Sequence, residues 1–302
     1  MIYEDVFALA AVEQLRNNRT TTNSFTGCTL VPVEENLIDK IWGEKQPKRP
    51  SNPVLHLEHK YSGLTVANKW EDIKKQMQDK MADVLLVTSL DEIAWFLNLR
   101  GSDIDYNPIF FAYLIIDFNS IKLFIDKSKL PENFENYQKQ NGVAIHVQPY
   151  DCIGSELQAS ISILSSGKIW ISPNSSYFLC SKIPKKLRIQ EITPIAINKA
   201  IKNKSEIDGF INCHIRDGVA LCKYFAWLEH AIQNGENISE LSGATKLEAF
   251  RSKNKYFMGL SFPTINASGP NGSIIHYHPT ENTNRSITNN EIYLCDSGAQ
   301  YL

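Results

Sequence analysis

The sequence lacks several features that would assign a class of protein at once. No apolar run approaches the roughly 18 residues that a membrane-spanning helix needs, and the N-terminal segment carries acids where a signal peptide carries its basic region. Lys and Arg number 31 against 33 Asp and Glu, so the net charge of −2 does not attract nucleic acid or an anionic membrane. We therefore expect a cytoplasmic protein that binds neither nucleic acid nor membrane.

Familiar site motifs are also missing. The 6 cysteines are scattered without a C-x-x-C pair or a zinc-type Cys/His spacing, which favours buried thiols. The sequence has no G-x-x-x-x-G-K-[ST] phosphate loop, no G-x-G-x-x-G, no H-E-x-x-H and no G-x-S-x-G elbow. These absences exclude the most direct enzyme assignments.

What is present is the composition of a globular protein, with 302 residues and 43% hydrophobic residues. Between about 54 and 195, helix-like and strand-like segments alternate, which predicts an α/β (α+β) domain. The predicted strands cover 84–87, 109–116, 121–125, 143–147 and 168–172. The predicted helices cover 70–81, 93–99 and 155–164, and Gly101 is expected to end the second of these.

Changes in pattern divide the chain into three parts. Residues 1–50 contain helical stripes at 7–15 and 37–42 and a strand-like run at 28–33, too little for a domain, and a proline-rich stretch follows. Residues 51–197 form the second part. Residues 198–302 contain predicted helices at 203–233 and 239–253 and predicted strands at 256–262, 273–277 and 291–295. We expect the apolar stripe of the long helix, from Ile207 to Leu228, to face the core.

Two histidines and one aspartate in the last part could carry chemistry. His276 and His278 flank Tyr277, so in a strand both imidazoles would point to one side, as in a metal site or an acid/base pair. Two surface histidines with ordinary hydrogen bonds are the alternative. Because side chains alternate along a strand, Asp296 lies on the apolar face of the last strand. A carboxylate there is energetically unfavourable unless a cation or several hydrogen-bond donors contact it. A strand-end cap is the alternative for Asp296.

Two further pairs of polar residues are better explained as structural contacts than as parts of a functional site. His214 and Asp217 share one face of the long helix, and we expect a solvated pair. Arg100 and Asp103 follow the helix at 93–99, and we expect a local ion pair there, with contact to a substrate or a partner chain as the alternative.

Taken together, these segments resemble a known family. The run V-T-S-L-D-E-I-A-W-F-L-N-L-R-G-S-D at 87–103, with Y-N-P-I-F-F at 106–111, closely resembles the middle domain of cytosolic Xaa-Pro aminopeptidases (aminopeptidase P). Segments 202–208, 214–221, 260–265, 269–272, 274–277 and 296–301 resemble the start of its pita-bread catalytic domain. Methionine aminopeptidases and prolidases share that catalytic fold, but the motif at 87–111 favours aminopeptidase P.

The resemblance implies a homodimeric enzyme with two creatinase-like domains before a pita-bread domain that holds two divalent metal ions, usually Mn²⁺. The enzyme releases the N-terminal residue from peptides with proline at position two. Asp296 corresponds to the first metal-binding aspartate. His276 corresponds to the catalytic and substrate-binding histidine beside the scissile bond, where it helps to stabilise the tetrahedral intermediate. His278 has no role in the family and is a local departure.

The resemblance also implies missing parts. The remaining metal ligands of the family, which are an Asp, a His and two Glu, follow the segment that matches 296–301, and one carboxylate cannot hold two metal ions. We therefore expect residues 1–50 to be the remnant of a first creatinase-like domain, 51–197 the second, and 198–302 an incomplete catalytic domain. We expect a fragment truncated at both ends and inactive alone. A non-catalytic binding or dimerisation module and a prolidase-like dipeptidase are the alternatives.

Overall fold

The computed structural model describes residues 37–164 and 167–302. The segments predicted at 7–15 and 28–33 lie outside the described residues. Two compact units are present. The first contains the described part of Met1–His59 together with Leu64–Asp103 and Ile109–Lys202, and the second contains Lys60–Gly63, Ile104–Pro108 and Asn203–Leu302.

The chain up to residue 202 alternates short helices and strands. The strands are β1 Leu55–His56, β2 Ala82–Val87, β3 Leu99–Arg100, β4 Tyr113–Asp117, β5 Ile121–Phe124, β6 Ile145–Gln148, β7 Lys168–Ile171 and β8 Arg188–Gln190. The helices are α1 Leu37–Trp42, α2 His59–Ser62, α3 Val66–Asp79, α4 Leu90–Phe96, α5 Phe134–Asn141, α6 Ile153–Ser162, α7 Tyr177–Lys182 and α8 Pro194–Ala200.

Six of these strands form one mixed sheet in the order β6-β5-β4-β2-β7-β8. β4 runs antiparallel to both of its neighbours, and the other neighbouring strands are parallel. Both faces of the sheet are covered, because Leu85 packs in one hydrophobic cluster with Ile73, whereas Leu86 packs in another with Leu157. The predicted α/β class is confirmed. The apolar run at 84–87 is a strand buried on both faces, as its composition indicates.

Several boundaries in this unit differ from the predictions. The strand predicted at 109–116 begins only at Tyr113. The amide of Phe111 donates to the Asp103 carboxylate at 2.7 Å and so does not pair with a neighbouring strand. α4 ends at Phe96 rather than at Gly101. Asn98 adopts a left-handed conformation (φ 50°) and β3 follows directly.

The ion pair expected between Arg100 and Asp103 is wrong. The Asp103 carboxylate accepts a hydrogen bond from the Lys129 ammonium, and both side chains are buried. Arg100 instead donates to the carbonyl oxygens of Ala94, at 3.0 Å, and Leu99, at 2.9 Å. The cation that pairs with Asp103 is therefore 26 residues away in sequence, and both Lys129 and the Phe111 amide donate to the same oxygen, Oδ2.

The second unit consists of two helices and two short antiparallel ribbons. The helices are α9 Lys204–Gln233 and α10 Glu240–Arg251, and the strands are β9 Phe257–Leu260, β10 Ile265–Ser268, β11 Tyr293–Asp296 and β12 Ala299–Tyr301. β10 pairs with β11, and β9 pairs with β12. α9 begins at a capping box, in which the side chains and amides of Asn203 and Glu206 bond reciprocally at 2.9 and 3.1 Å.

The apolar stripe of α9 does not face the core as expected. Six of its residues are exposed, and Ile215 reaches 61% exposure; they are Ile207, Ile211, Ile215, Val219, Cys222 and Phe225. The helix instead buries a side formed by Ala220, Tyr224, Leu228 and Ala231, of which only Leu228 belongs to the stripe. α9 thus carries apolar residues on more than one side, and helical periodicity alone does not tell which side is covered.

The strand predicted at 273–277 is also wrong. Residues Gly269–Ser273 form a 3₁₀ helix and an irregular segment follows. Within the described residues, no helix is long and apolar enough to span a bilayer.

Candidate functional site

Asp296 is the last residue of β11 and lies opposite Ile265 of β10. Its neighbours on the same face, Ile292 and Leu294, are exposed, and so is Asp296. This face is apolar as expected, but it is exposed, so Asp296 does not carry the desolvation cost of a buried carboxylate. An exposed carboxylate at a strand end is available to bind a cation or a substrate group.

The turn after Asp296 is tightly packed. The amide of Ser261 donates to the carbonyl oxygen of Gly298 at 3.1 Å. A Cβ atom at Gly298 would lie 2.3 Å from the Ser261 hydroxyl and 3.1 Å from the Phe262 ring. Glycine permits this close approach between the β9–β10 and β11–β12 connections.

His276 and His278 lie in the irregular segment rather than in a strand, and both are exposed. The backbone of His276 has φ 55°, in the left-handed region, which is uncommon for residues other than glycine. Tyr277 between them is only 6% exposed. The shared strand face expected for the two histidines is therefore absent.

A buried glutamate that the sequence analysis did not single out organises this segment. Glu240, at the start of α10, has no exposed surface. Its carboxylate accepts hydrogen bonds from the Tyr277 hydroxyl (2.6 Å), the Ser268 amide (2.7 Å), the Asn271 side chain (3.0 Å) and the Arg285 amide (3.1 Å). Glu240 therefore connects α10 to both ends of the segment that carries His276.

The hydrogen bonds to Glu240 favour its charged form. Burial by itself raises the pKa of this carboxyl, but the bonds from Tyr277, the Ser268 amide and Asn271 outweigh burial and lower it below its usual 4.5. Burial and the adjacent carboxylate raise the pKa of Tyr277. At neutral pH, Glu240 is an anion and Tyr277 is its neutral donor.

A second buried network lies in the same unit. Arg251 has no exposed surface and donates to both carboxylate oxygens of Asp217 at 2.8 Å, and the Tyr301 hydroxyl donates to Asp217 at 2.9 Å. The solvated pair expected between His214 and Asp217 is wrong, since the imidazole of His214 instead lies 2.7 Å from the carbonyl oxygen of Phe210. The network links α9, α10 and β12.

The side of β11 that carries Tyr293 and Cys295 contacts α9. The hydroxyls of Tyr224 and Tyr293 lie 2.7 Å apart, and burial raises the pKa of Tyr224 to about 12. Burial also raises the pKa of the half-buried Cys295. A raised pKa lowers the fraction of thiolate, which is the form of cysteine that acts as a nucleophile or metal ligand.

The described residues do not fit a two-metal group by themselves. Within 37–164 and 167–302, no three His, Cys, Asp or Glu side chains are grouped as metal ligands. His276 and Asp296 belong to the same unit but to separate segments, and both remain exposed. Two hard divalent cations require several carboxylates, so one Asp296 is insufficient.

Comparison with protein families separates the chain into two matched regions. Residues 45–206 match the Creatinase/Prolidase N-terminal domain, and residues 209–302 match Metallopeptidase family M24. The larger part of the chain belongs to the Creatinase/Prolidase N-terminal domain family, and its last third matches Metallopeptidase family M24. This result confirms both the metallopeptidase class and the creatinase-like part inferred from the sequence.

The curated relatives that match the chain include Xaa-Pro aminopeptidases. The chain is 58% identical over 282 residues to the Drosophila melanogaster Xaa-Pro aminopeptidase ApepP, covering 93% of this chain and 46% of that protein. It is 45% identical to a probable Xaa-Pro aminopeptidase P of Laccaria bicolor, covering 90% of this chain and 42% of that protein. The resemblance to aminopeptidase P is confirmed. The chain spans about half the length of these relatives.

A solved structure supports the same assignment. The X-prolyl aminopeptidase of Caenorhabditis elegans, described as a cytosolic enzyme with a di-nuclear active site, superposes with a TM-score of 0.83 at 32% identity. The match covers 88% of this chain and 44% of that chain. A Bacillus anthracis Xaa-Pro dipeptidase, with a TM-score of 0.57 at 19% identity, shares the fold alone; it covers 78% of this chain and 61% of that chain.

Proposed function

We propose that this chain belongs to a metal-dependent aminopeptidase that releases the N-terminal residue from peptides with proline at position two. The 58% identity to a Xaa-Pro aminopeptidase across 93% of the chain carries the proposal. A proline in second position forms a tertiary amide without an N–H. Proteases that bind substrates by strand pairing therefore bind such peptides poorly, and a dedicated site is needed.

The proposal assigns roles to two residues of the second unit. Asp296, exposed at the end of β11, is a metal ligand. His276, whose imidazole is exposed, contacts the substrate and donates a hydrogen bond to the oxygen that becomes negative during peptide-bond cleavage. His278 has no role. The described residues do not hold two metals, so we propose that the 302 residues alone are inactive.

Other parts of the proposal follow from the relatives. The expected metal is Mn²⁺, the expected assembly is a homodimer, and the expected location is the cytoplasm, in line with the cytosolic C. elegans enzyme. The domain limits 1–50, 51–197 and 198–302 remain predictions.

The test begins by sequencing the native transcript through and beyond the codon for Leu302. Where the reading frame supplies an Asp, a His and two Glu in pita-bread order, the encoded protein and the 302-residue chain are both purified with Mn²⁺. We expect the longer protein to cleave an Xaa-Pro-Xaa tripeptide and the 302-residue chain to leave it intact. Asp296→Asn and His276→Ala in the longer protein should each lower kcat about 100-fold or more.

His278→Ala is the matched control, because His278 lies two residues from His276 and is equally exposed. We expect its kcat to equal that of the unmodified protein. Activity confined to Xaa-Pro dipeptides would favour the prolidase-like alternative. A stop codon directly after Leu302 would favour the non-catalytic alternative and refute the aminopeptidase proposal.

A further inference from the structure

We infer that Glu240 and Tyr277 are positioning residues for His276, and that they hold its imidazole through the buried hydrogen bond between them. The inference rests on the proposed role of His276. It concerns residues far apart in sequence, since Glu240 precedes Tyr277 by 37 positions.

The first support is the contrast in burial along three consecutive residues. His276 and His278 are exposed, whereas Tyr277 between them is 6% exposed. An exposed side chain has little packing to fix it. The direction of His276 therefore depends on its backbone, and the side chain of Tyr277 is the nearest anchor of that backbone.

The second support is the number of bonds that meet at this anchor. The Tyr277 hydroxyl donates to Glu240 at 2.6 Å and lies 2.8 Å from the side-chain nitrogen of Asn271. Glu240 also accepts from the amides of Ser268 and Arg285, which lie before and after the segment. One buried carboxylate thus fixes the segment at its start, its middle and its end.

The third support is the backbone of His276 itself. Its φ of 55° is unfavourable for a side chain with a Cβ atom, and such conformations persist where the surrounding structure imposes them. The amide of Tyr277 donates to the carbonyl of Ile274 at 3.3 Å, which closes a turn around His276. Without the bond between Tyr277 and Glu240, we expect this turn to relax.

The first test measures backbone hydrogen exchange in the 302-residue chain and needs no activity. Tyr277→Phe removes only the hydroxyl, and we expect exchange of the Ile274 and Tyr277 amides, which donate to the carbonyls of Asn271 and Ile274, to accelerate about tenfold or more. Tyr224→Phe is the matched control, because it removes the hydroxyl of another buried tyrosine that bonds to Tyr293. The control should leave exchange of the Ile274 and Tyr277 amides unchanged. Equal exchange in Tyr277→Phe and the unmodified chain would refute the inference.

The second test is a double-mutant cycle in the longer protein. Tyr277→Phe and Glu240→Gln should each lower kcat about tenfold, because a small displacement of a catalytic group is costly. In a His276→Ala background, the same changes should have no further effect on kcat. Tyr224→Phe should leave kcat unchanged in both backgrounds.

The outcomes separate this inference from the function on which it rests. If His276→Ala leaves kcat unchanged, the proposed role of His276 fails, and the positioning role fails with it. If His276→Ala lowers kcat but Tyr277→Phe does not, only the positioning inference fails. It also fails if Tyr277→Phe lowers kcat equally with and without His276, since the effect would then be a general loss of structure.

Discussion

Replacing Asp217 with alanine should destabilise the second unit strongly. The change leaves the Arg251 guanidinium buried without its carboxylate, and its Nη1 atom already lacks a hydrogen-bond partner. Arginine does not lose its proton in proteins, so the charge remains. Removing one partner of a buried ion pair costs about 3–5 kcal/mol. The Asp217 side chain is 21% exposed and water can enter, so we expect the lower value, about 3 kcal/mol.

The appropriate assay is hydrogen exchange of the α9 and α10 amides, because two compact units need not unfold together. A loss of about 3 kcal/mol corresponds to about 100-fold faster exchange of amides that open by unfolding of the unit. Asp208→Ala is the control on the same helix. Asp208 pairs with Lys204 at 2.8 Å on the surface, and we expect a loss below about 0.5 kcal/mol.

A second variant distinguishes the buried charge from the general loss of packing. Replacing both partners, as in Asp217→Leu with Arg251→Met, removes the charge together with its counter-charge. Such replacements are often neutral, so the unfolding free energy should return to within about 1 kcal/mol of the unmodified chain. If Asp217→Ala costs no more than Asp208→Ala, the reasoning from the buried guanidinium is refuted.

Three further predictions concern other features. Because the pKa of Glu240 is lowered, its carboxylate stabilises the second unit above pH 4.5, and this contribution is lost as pH falls through the lowered pKa. Glu240→Gln should abolish this loss of unfolding free energy at acid pH, and an unchanged loss in the variant would contradict the prediction. Ile215→Lys on the exposed stripe should lower binding of a hydrophobic dye without lowering the melting temperature, whereas a lower melting temperature would show that Ile215 packs. Lys129→Met should cost about 3 kcal/mol in urea unfolding by leaving Asp103 unpaired, and equality with Lys127→Met would contradict this.

The sequence predicted five of the six strands in the sheet of the first unit, but not β8, and it succeeded best where the local signal and the tertiary environment agree. Val84 to Val87 are apolar and β-branched or leucine, and both faces of β2 are covered. The long helix was also predicted, within one residue at its start. The buried side of α9 was not predicted, because the helix has two apolar sides. Which side is buried depends on contacts with α10 and the ribbons.

The segment around His276 shows why a local pattern can mislead. Ile274, Ile275 and Tyr277 are typical of a strand, but Ile275 is 85% exposed and the segment is irregular. Its conformation depends on Glu240, whose partners lie 28 to 45 positions away in sequence. Spacing alone does not reveal such a partner. The candidates His276 and Asp296 came from the resemblance to a family, and their roles stay predictions.

The antiparallel strand β4 in the otherwise parallel sheet bears on the order of folding. β4 and β5 form a hairpin closed by residues 118–120, so their pairing needs only a short loop. The pairing of β2 with β7 places Leu85 beside Trp170 and therefore requires a far longer loop to close. Short loops close first, so the hairpin can form early and offer β4 as a template for β2. We therefore expect the half of the sheet with β7 and β8 to assemble last, with its strand edges open longest during synthesis.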